Sequence, residues 1–161
     1  MNLSEIDCCN QNLCKKCQGK CCKETGCFFM PEDFEKMELS YLRQRIDNGY
    51  ITIAVITSNL GVLLSTPVLY LKIRNKGASI CDVSRKGECI LLTPTGCKLS
   101  FEERPSGGKG LIPDRPICHS IFTQVDIIEA WEPFDKILRE LWSFYSDLSV
   151  EETIEKAKRG G

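Results

Sequence analysis

Nine residues, Cys14-Lys15-Lys16-Cys17-Gln18-Gly19-Lys20-Cys21-Cys22, hold four cysteines in the spacing C-x2-C-x3-C-C, and no ordinary packing requirement produces such a run. The C-x2-C half lets two thiolates turn toward one metal ion from a tight loop, as in zinc and iron–sulfur sites. The side chains of the adjacent pair Cys21-Cys22 diverge, so the pair serves either two centres or one centre from two sides. Lys15, Lys16, Lys20 and Lys23 stand among these cysteines. They either offset thiolate charge or simply solvate a loop.

The chain has eleven cysteines, seven of them between residues 8 and 27; the other four are Cys81, Cys89, Cys97 and Cys118. Such a count fits an oxidised disulfide scaffold or a reduced metal site. An odd number suits a complete disulfide framework poorly. The opening Met1–Asp7 has neither a basic n-region nor an apolar h-region, so the expectation is a cytoplasmic protein with metal-bound thiolates. No apolar run reaches the ~18 residues of a membrane span, and no membrane partner is expected. The formal net charge is −1. Basic residues are not interleaved with aromatics, which argues against a nucleic-acid partner.

At 161 residues, 42% apolar and 27% charged, the chain is read as one small α+β domain: a short antiparallel sheet, flanking helices and irregular Cys-rich metal-binding loops. Residues 1–161 form that single cysteine-cluster domain, with 1–13 as a mobile leader and 131–161 as C-terminal helices. A first helix is expected from Pro31, with Glu32 and Asp33 at its positive end and Gly49 closing it. Phe34, Met37, Tyr41, Leu42 and Ile46 would give it an apolar side. Ile51–Thr57 and Val68–Ile73 read as strands, the second ending at the turn Asn75-Lys76-Gly77, and Cys89–Thr93 as a third that stops at Pro94. Cys97 to Cys118 is rich in Gly and Pro and reads as a loop that wraps something. The last forty residues return to helix. Phe134, Ile137, Leu138, Leu141, Trp142 and Tyr145 form an amphipathic stripe that is core rather than cofactor contact. Ser149-Val-Glu-Glu152 is a capping box opening a last helix through Lys158.

The candidate metal ligands are Cys14, Cys17, Cys21, Cys22, Cys81, Cys89, Cys97 and Cys118. Eight thiolates fit two tetrahedral S4 sites, a binuclear site, or one iron–sulfur cluster with spare ligands. Thiolates select zinc, iron or iron–sulfur over magnesium or calcium. Cys27 follows Gly26, which permits a turn, and is an additional candidate. Cys8 and Cys9 read equally well as free thiols or a redox pair.

The C-x2-C-x3-C-C opening, followed by Gly87-Glu-Cys89, Gly96-Cys97 and an Arg-Pro pair, resembles the YkgJ-type cysteine-cluster proteins, described as a zinc- or iron-chelating domain. The resemblance runs from about Cys14 to Cys118 and implies metal chelation without a known cellular role. In that family a cysteine usually follows the Arg-Pro pair closely. Here Arg104-Pro105 stands at the family's distance after Cys97 but lacks the cysteine. Arg115-Pro116-Ile117-Cys118 has the local form but comes late. Either an insertion moved the motif or Cys118 substitutes from a distance. Its neighbour His119, the only histidine, is a ligand or a donor to sulfur.

No catalytic constellation is recognisable: there is no H-E-x-x-H, no Gly-rich phosphate loop and no Ser-His-Asp arrangement. The expected function is chelation of zinc or iron by the cysteine cluster. Two alternatives stand beside it, an iron–sulfur electron-transfer protein or redox subunit, and a zinc-stabilised module with a protein partner.

Overall fold

Two β-branched runs set the centre of the molecule. In the computed structural model, which describes residues 26–57, 67–84, 86–94, 96–99, 102–109, 111–112 and 119–160, β1 (Ile51–Ile56) and β2 (Val68–Ile73) pair antiparallel. Ile51 lies opposite Ile73 and Ile56 opposite Val68. Side chains alternate along a strand, so Ile51, Ile53, Val55, Leu69, Leu71 and Ile73 share one face. Thr52, Ala54, Ile56, Val68, Tyr70 and Lys72 share the other. All twelve residues are buried. A sheet covered on both faces needs apolar residues at nearly every position, and that explains why these runs read as continuous rather than alternating.

Single bridges extend both edges of this pair. Phe28 pairs with Lys72 on the outer edge of β2, with Phe29 N donating to Leu71 O and Ile73 N to Cys27 O. Cys81 pairs in parallel with Ile53 on the outer edge of β1, where Ile53 N donates to Ile80 O and Asp82 N to Ile53 O. Asn75, just past β2, pairs with Cys89. The expected third strand is shorter than its apolar run: β3 is only Leu92–Thr93, and it forms a separate hairpin with β4 (Gly96–Cys97).

The single helix expected from Pro31 to Gly49 is divided. Pro31–Asp33 is one 3-10 turn, and α1 starts only at Leu39 and runs to Asp47. The reason is the Asp33 carboxylate, which accepts from Met30 N at 2.8 Å, Ser106 N at 2.9 Å and Ser106 Oγ at 2.6 Å. Asp33 thus holds a distant segment, and Phe34 after it is extended and packs into the core. Gly49 does end α1, at φ +105°, a left-handed conformation that glycine adopts without a Cβ penalty.

The C-terminal helical region begins earlier than residue 131. Thr123 caps α3 (Gln124–Trp131) through a reciprocal pair, Asp126 N to Thr123 Oγ1 and Thr123 N to the Asp126 carboxylate. A 3-10 turn, Glu132–Phe134, leads into α4 (Asp135–Tyr145), and α5 spans Val150–Gly160. The expected capping box of α5 is present: Glu152 N donates to Ser149 Oγ at 3.1 Å. Leu42 and Ile46 of α1 join Leu138, Leu141 and Trp142 of α4 in one core with the sheet. Trp131 and Trp142 are buried, and each indole N–H is satisfied, by Phe29 O and Leu148 O respectively. The result is a small single domain of mixed α+β content.

Within the Gly- and Pro-rich stretch after Cys97, the described part that meets the segment entering the sheet at Gly26 is one short helix. This helix, α2 (Ser106–Lys109), is buried through Ser106, Gly107 and Gly108, and Gly107 N donates to Phe28 O at 3.1 Å. Beyond it, β5 (Leu111–Ile112) pairs with β6 (His119–Ser120).

Candidate functional site

The described cysteines occupy two different environments. One is built around Lys72, whose position in β2 places it between the 26–29 segment and the turn that follows the strand. Lys72 is 2% exposed. Its ammonium donates to Ile73 O at 2.9 Å and to Asn75 Oδ1 at 3.0 Å. The same Asn75 oxygen accepts from Gly26 N at 2.8 Å. Asn75 therefore ties the chain entry at Gly26, the buried lysine and, through its bridge, the Cys89 segment. Lys76 N to Glu88 O and Ile90 N to Arg74 O secure that segment on either side of Cys89.

Burial pushes the Lys72 pKa down to about 8, against the pull of Cys89, Asp82 and Cys27, in that order. Cys89 and Cys27 thus reach the same buried ammonium from two segments of the chain. Cys89 is buried and Cys27 half-buried. Two glycines make the approach of Cys27 feasible. A Cβ on Gly26 would overlap the Ile73 carbonyl, and a Cβ on Gly108 of α2 would stand 3.2 Å from Cys27 Sγ. Sequence reasoning placed Cys27 outside its eight primary candidates. The signal that points to it is the preceding glycine, required by the close backbone passage at the sheet edge.

Cys81 belongs to the other environment. Its thiol donates to Trp142 O at 3.7 Å, and burial pushes its pKa up to about 12. In register, Cys81 faces Ile53, Ile53 faces Leu71, and Leu71 bonds Phe29. Three inter-strand spacings, about 14 Å in all, therefore separate Cys81 from the 27–29 segment. Thiolates sharing one tetrahedral metal stand only ~4 Å apart. The structure thus sets Cys81 apart from Cys27.

The main chain of Cys97 stands opposite Leu92 in the β3–β4 hairpin, which begins where Leu92 N donates to Cys89 O at 3.1 Å. The main chain of His119 pairs with Ile112. Cys14, Cys17, Cys21, Cys22 and Cys118, like Cys8 and Cys9, lie outside the described residues. Among the described residues no group of three or more His, Cys, Asp or Glu is placed to hold a metal ion. What they do supply is two thiols, Cys27 and Cys89, within electrostatic reach of the Lys72 ammonium. Among the described residues no helix is long and apolar enough to cross a membrane. Comparison with protein families, with curated proteins and with solved structures finds no match to this chain.

Proposed function

We propose that this protein chelates zinc or iron through the thiolates of Cys14, Cys17, Cys21, Cys22, Cys89, Cys97 and Cys118, with Cys27 as the eighth thiol. The observation that carries the reading is the C-x2-C-x3-C-C run itself. It gains support from Cys27, a few residues after that run, and from the distant Cys89, which both act on the buried Lys72 ammonium. In sequence only three residues separate Cys22 from Gly26, and Cys27 follows directly. Cys81, set three strand spacings from the 27–29 segment with its thiol on the Trp142 carbonyl, falls outside the proposed set.

A bound metal would contribute its binding free energy to folding, because it would link segments far apart in the chain. The Lys72 ammonium would lower the cost of gathering negative sulfur in a part-buried place. That same cation favours a second reading, an iron–sulfur centre in a redox protein, since positive charge near sulfur raises the potential of such a cluster. The resemblance to YkgJ-type proteins is consistent with either metal. Reduced thiolates on this scale suit a cytoplasmic location.

The test is metal analysis of anaerobically prepared protein with Cys17→Ser and Cys21→Ser variants. Loss of metal and a lower melting temperature in both variants is the expected result. Unchanged metal content and melting in both would sink the proposal. Zinc in a colourless protein selects the first reading, and iron with acid-labile sulfide the second.

A further inference from the structure

A cleft of about 600 Å³ opens over the sheet face that carries Ile56 and Lys72, between Phe28 and the first turns of α3. Its volume falls within the range of small-molecule sites. Two features of its wall are unresolved by the fold itself. Gln124 Nε2, at the first position of α3, is buried with no hydrogen-bond partner among the described residues. Lys72 carries three ammonium protons, of which acceptors among the described residues take two, Ile73 O and Asn75 Oδ1. A buried donor without an acceptor is costly enough that native structures seldom keep one unless water or a ligand completes it.

The charge of the wall points the same way. Lys72 and Lys86 both line the cleft, and no carboxylate is among its described lining residues. Asp82 acts on Lys72 electrostatically without a hydrogen bond between them. Phe28, Ile56 and Ile127 make the remaining wall largely apolar. The described lining offers no arginine fork for bidentate phosphate binding, and its largely apolar wall suits a ligand with an apolar tail better than a strongly hydrated dianion. One ammonium, one amide N–H and an apolar floor match the two oxygens and the tail of a carboxylic acid.

We infer that the cleft is a binding site for a small organic carboxylate with an apolar tail, its oxygens held by Lys72 and Gln124 and its tail against Phe28, Ile56 and Ile127. Lys86, exposed at the rim, draws the anion in. This site uses no cysteine, although it shares Lys72 with the proposed thiolate set.

The probe is octanoate, titrated calorimetrically into the full chain, with octanamide as its neutral isostere and acetate as its tail-less analogue. Saturable octanoate binding is expected, with octanamide and acetate each weaker by about tenfold or more, the usual worth of a charge-assisted hydrogen bond or a buried tail. Gln124→Leu removes the orphan donor from a half-exposed residue and should keep the fold, as circular dichroism would verify, while weakening octanoate about tenfold. Lys72→Met should weaken it at least as much. The inference is overturned if octanoate does not saturate, if octanamide binds equally well, or if folded Gln124→Leu binds octanoate like the wild type.

Discussion

Replacing Lys72 by methionine tests the electrostatics at the centre of the molecule. The lysine is buried among sheet residues, and its pKa falls from 10.5 to about 8. At ~1.4 kcal/mol per pKa unit, that difference corresponds to about 3 kcal/mol. The sign follows from which state holds the proton. Between about pH 8 and 10.5 the unfolded chain keeps the proton while the folded chain has released it. Unfolding free energy therefore rises with pH across that window, and the penalty is present in full below it. Methionine fills a similar volume without a charge, and Asn75 Oδ1 keeps its bond from Gly26 N. At neutral pH the variant should be at least as stable as the wild type, because an apolar replacement of a buried charge is commonly neutral or stabilising. Urea denaturation in reductant, at intervals from neutral pH to about 10.5, measures both proteins. The other titrating groups are common to the two and largely cancel in the difference. The wild type should gain about 3 kcal/mol on the variant across the series. Parallel curves would show that Lys72 titrates as an ordinary solvated lysine and that the burial argument is wrong.

Other outcomes follow from single contacts. Asp33→Ala removes the acceptor of three hydrogen bonds from Met30 and Ser106 and should cost about 1–3 kcal/mol in chemical denaturation, with the α2 amides losing hydrogen-exchange protection first. Leu138→Ala empties a fully buried core position and should cost about 2–5 kcal/mol by the same measurement. Metal analysis separates the two cysteine environments: Cys89→Ser should lose metal, whereas Cys81→Ser should retain the wild-type amount. Equal loss in both would return Cys81 to the ligand set.

The sheet was the most legible part of the chain. Ile51–Ile56 and Val68–Ile73 are continuous β-branched and apolar runs bounded by turn residues, and local propensity agrees with burial there. The stripe on α4 and the Ser149 cap were legible for the same reason, since periodicity and capping act within a few residues. The break between Asp33 and Leu39 was not. Helix signals at Pro31 compete with a tertiary demand, the Asp33 grip on Ser106, which lies seventy-three residues away. The start of α3 at Gln124 lies within the last forty residues that read as helix but ahead of the 131 boundary, because its signal is the short Thr123–Asp126 cap rather than the stronger apolar stripe downstream. At the candidate site, cysteine spacing marks local ligand pairs but carries no information about which strand edge each distant cysteine occupies. Cys81 and Cys89 look equivalent in sequence, yet Cys81 lies beyond β1 under Trp142 while Cys89 lies beside Asn75. Lys72 gave no sequence signal at all, being one lysine in an apolar strand.

The central claim is that cysteines of this chain hold a metal as thiolates. Its most direct test is a combined count, on one anaerobic untagged preparation, of bound metal and of thiols reactive toward a disulfide reagent before and after chelation. The account predicts stoichiometric zinc or iron per chain, with most of the eleven thiols protected until the metal is removed. Metal-free protein that is folded, with its thiols equally reactive before and after chelator, would contradict it.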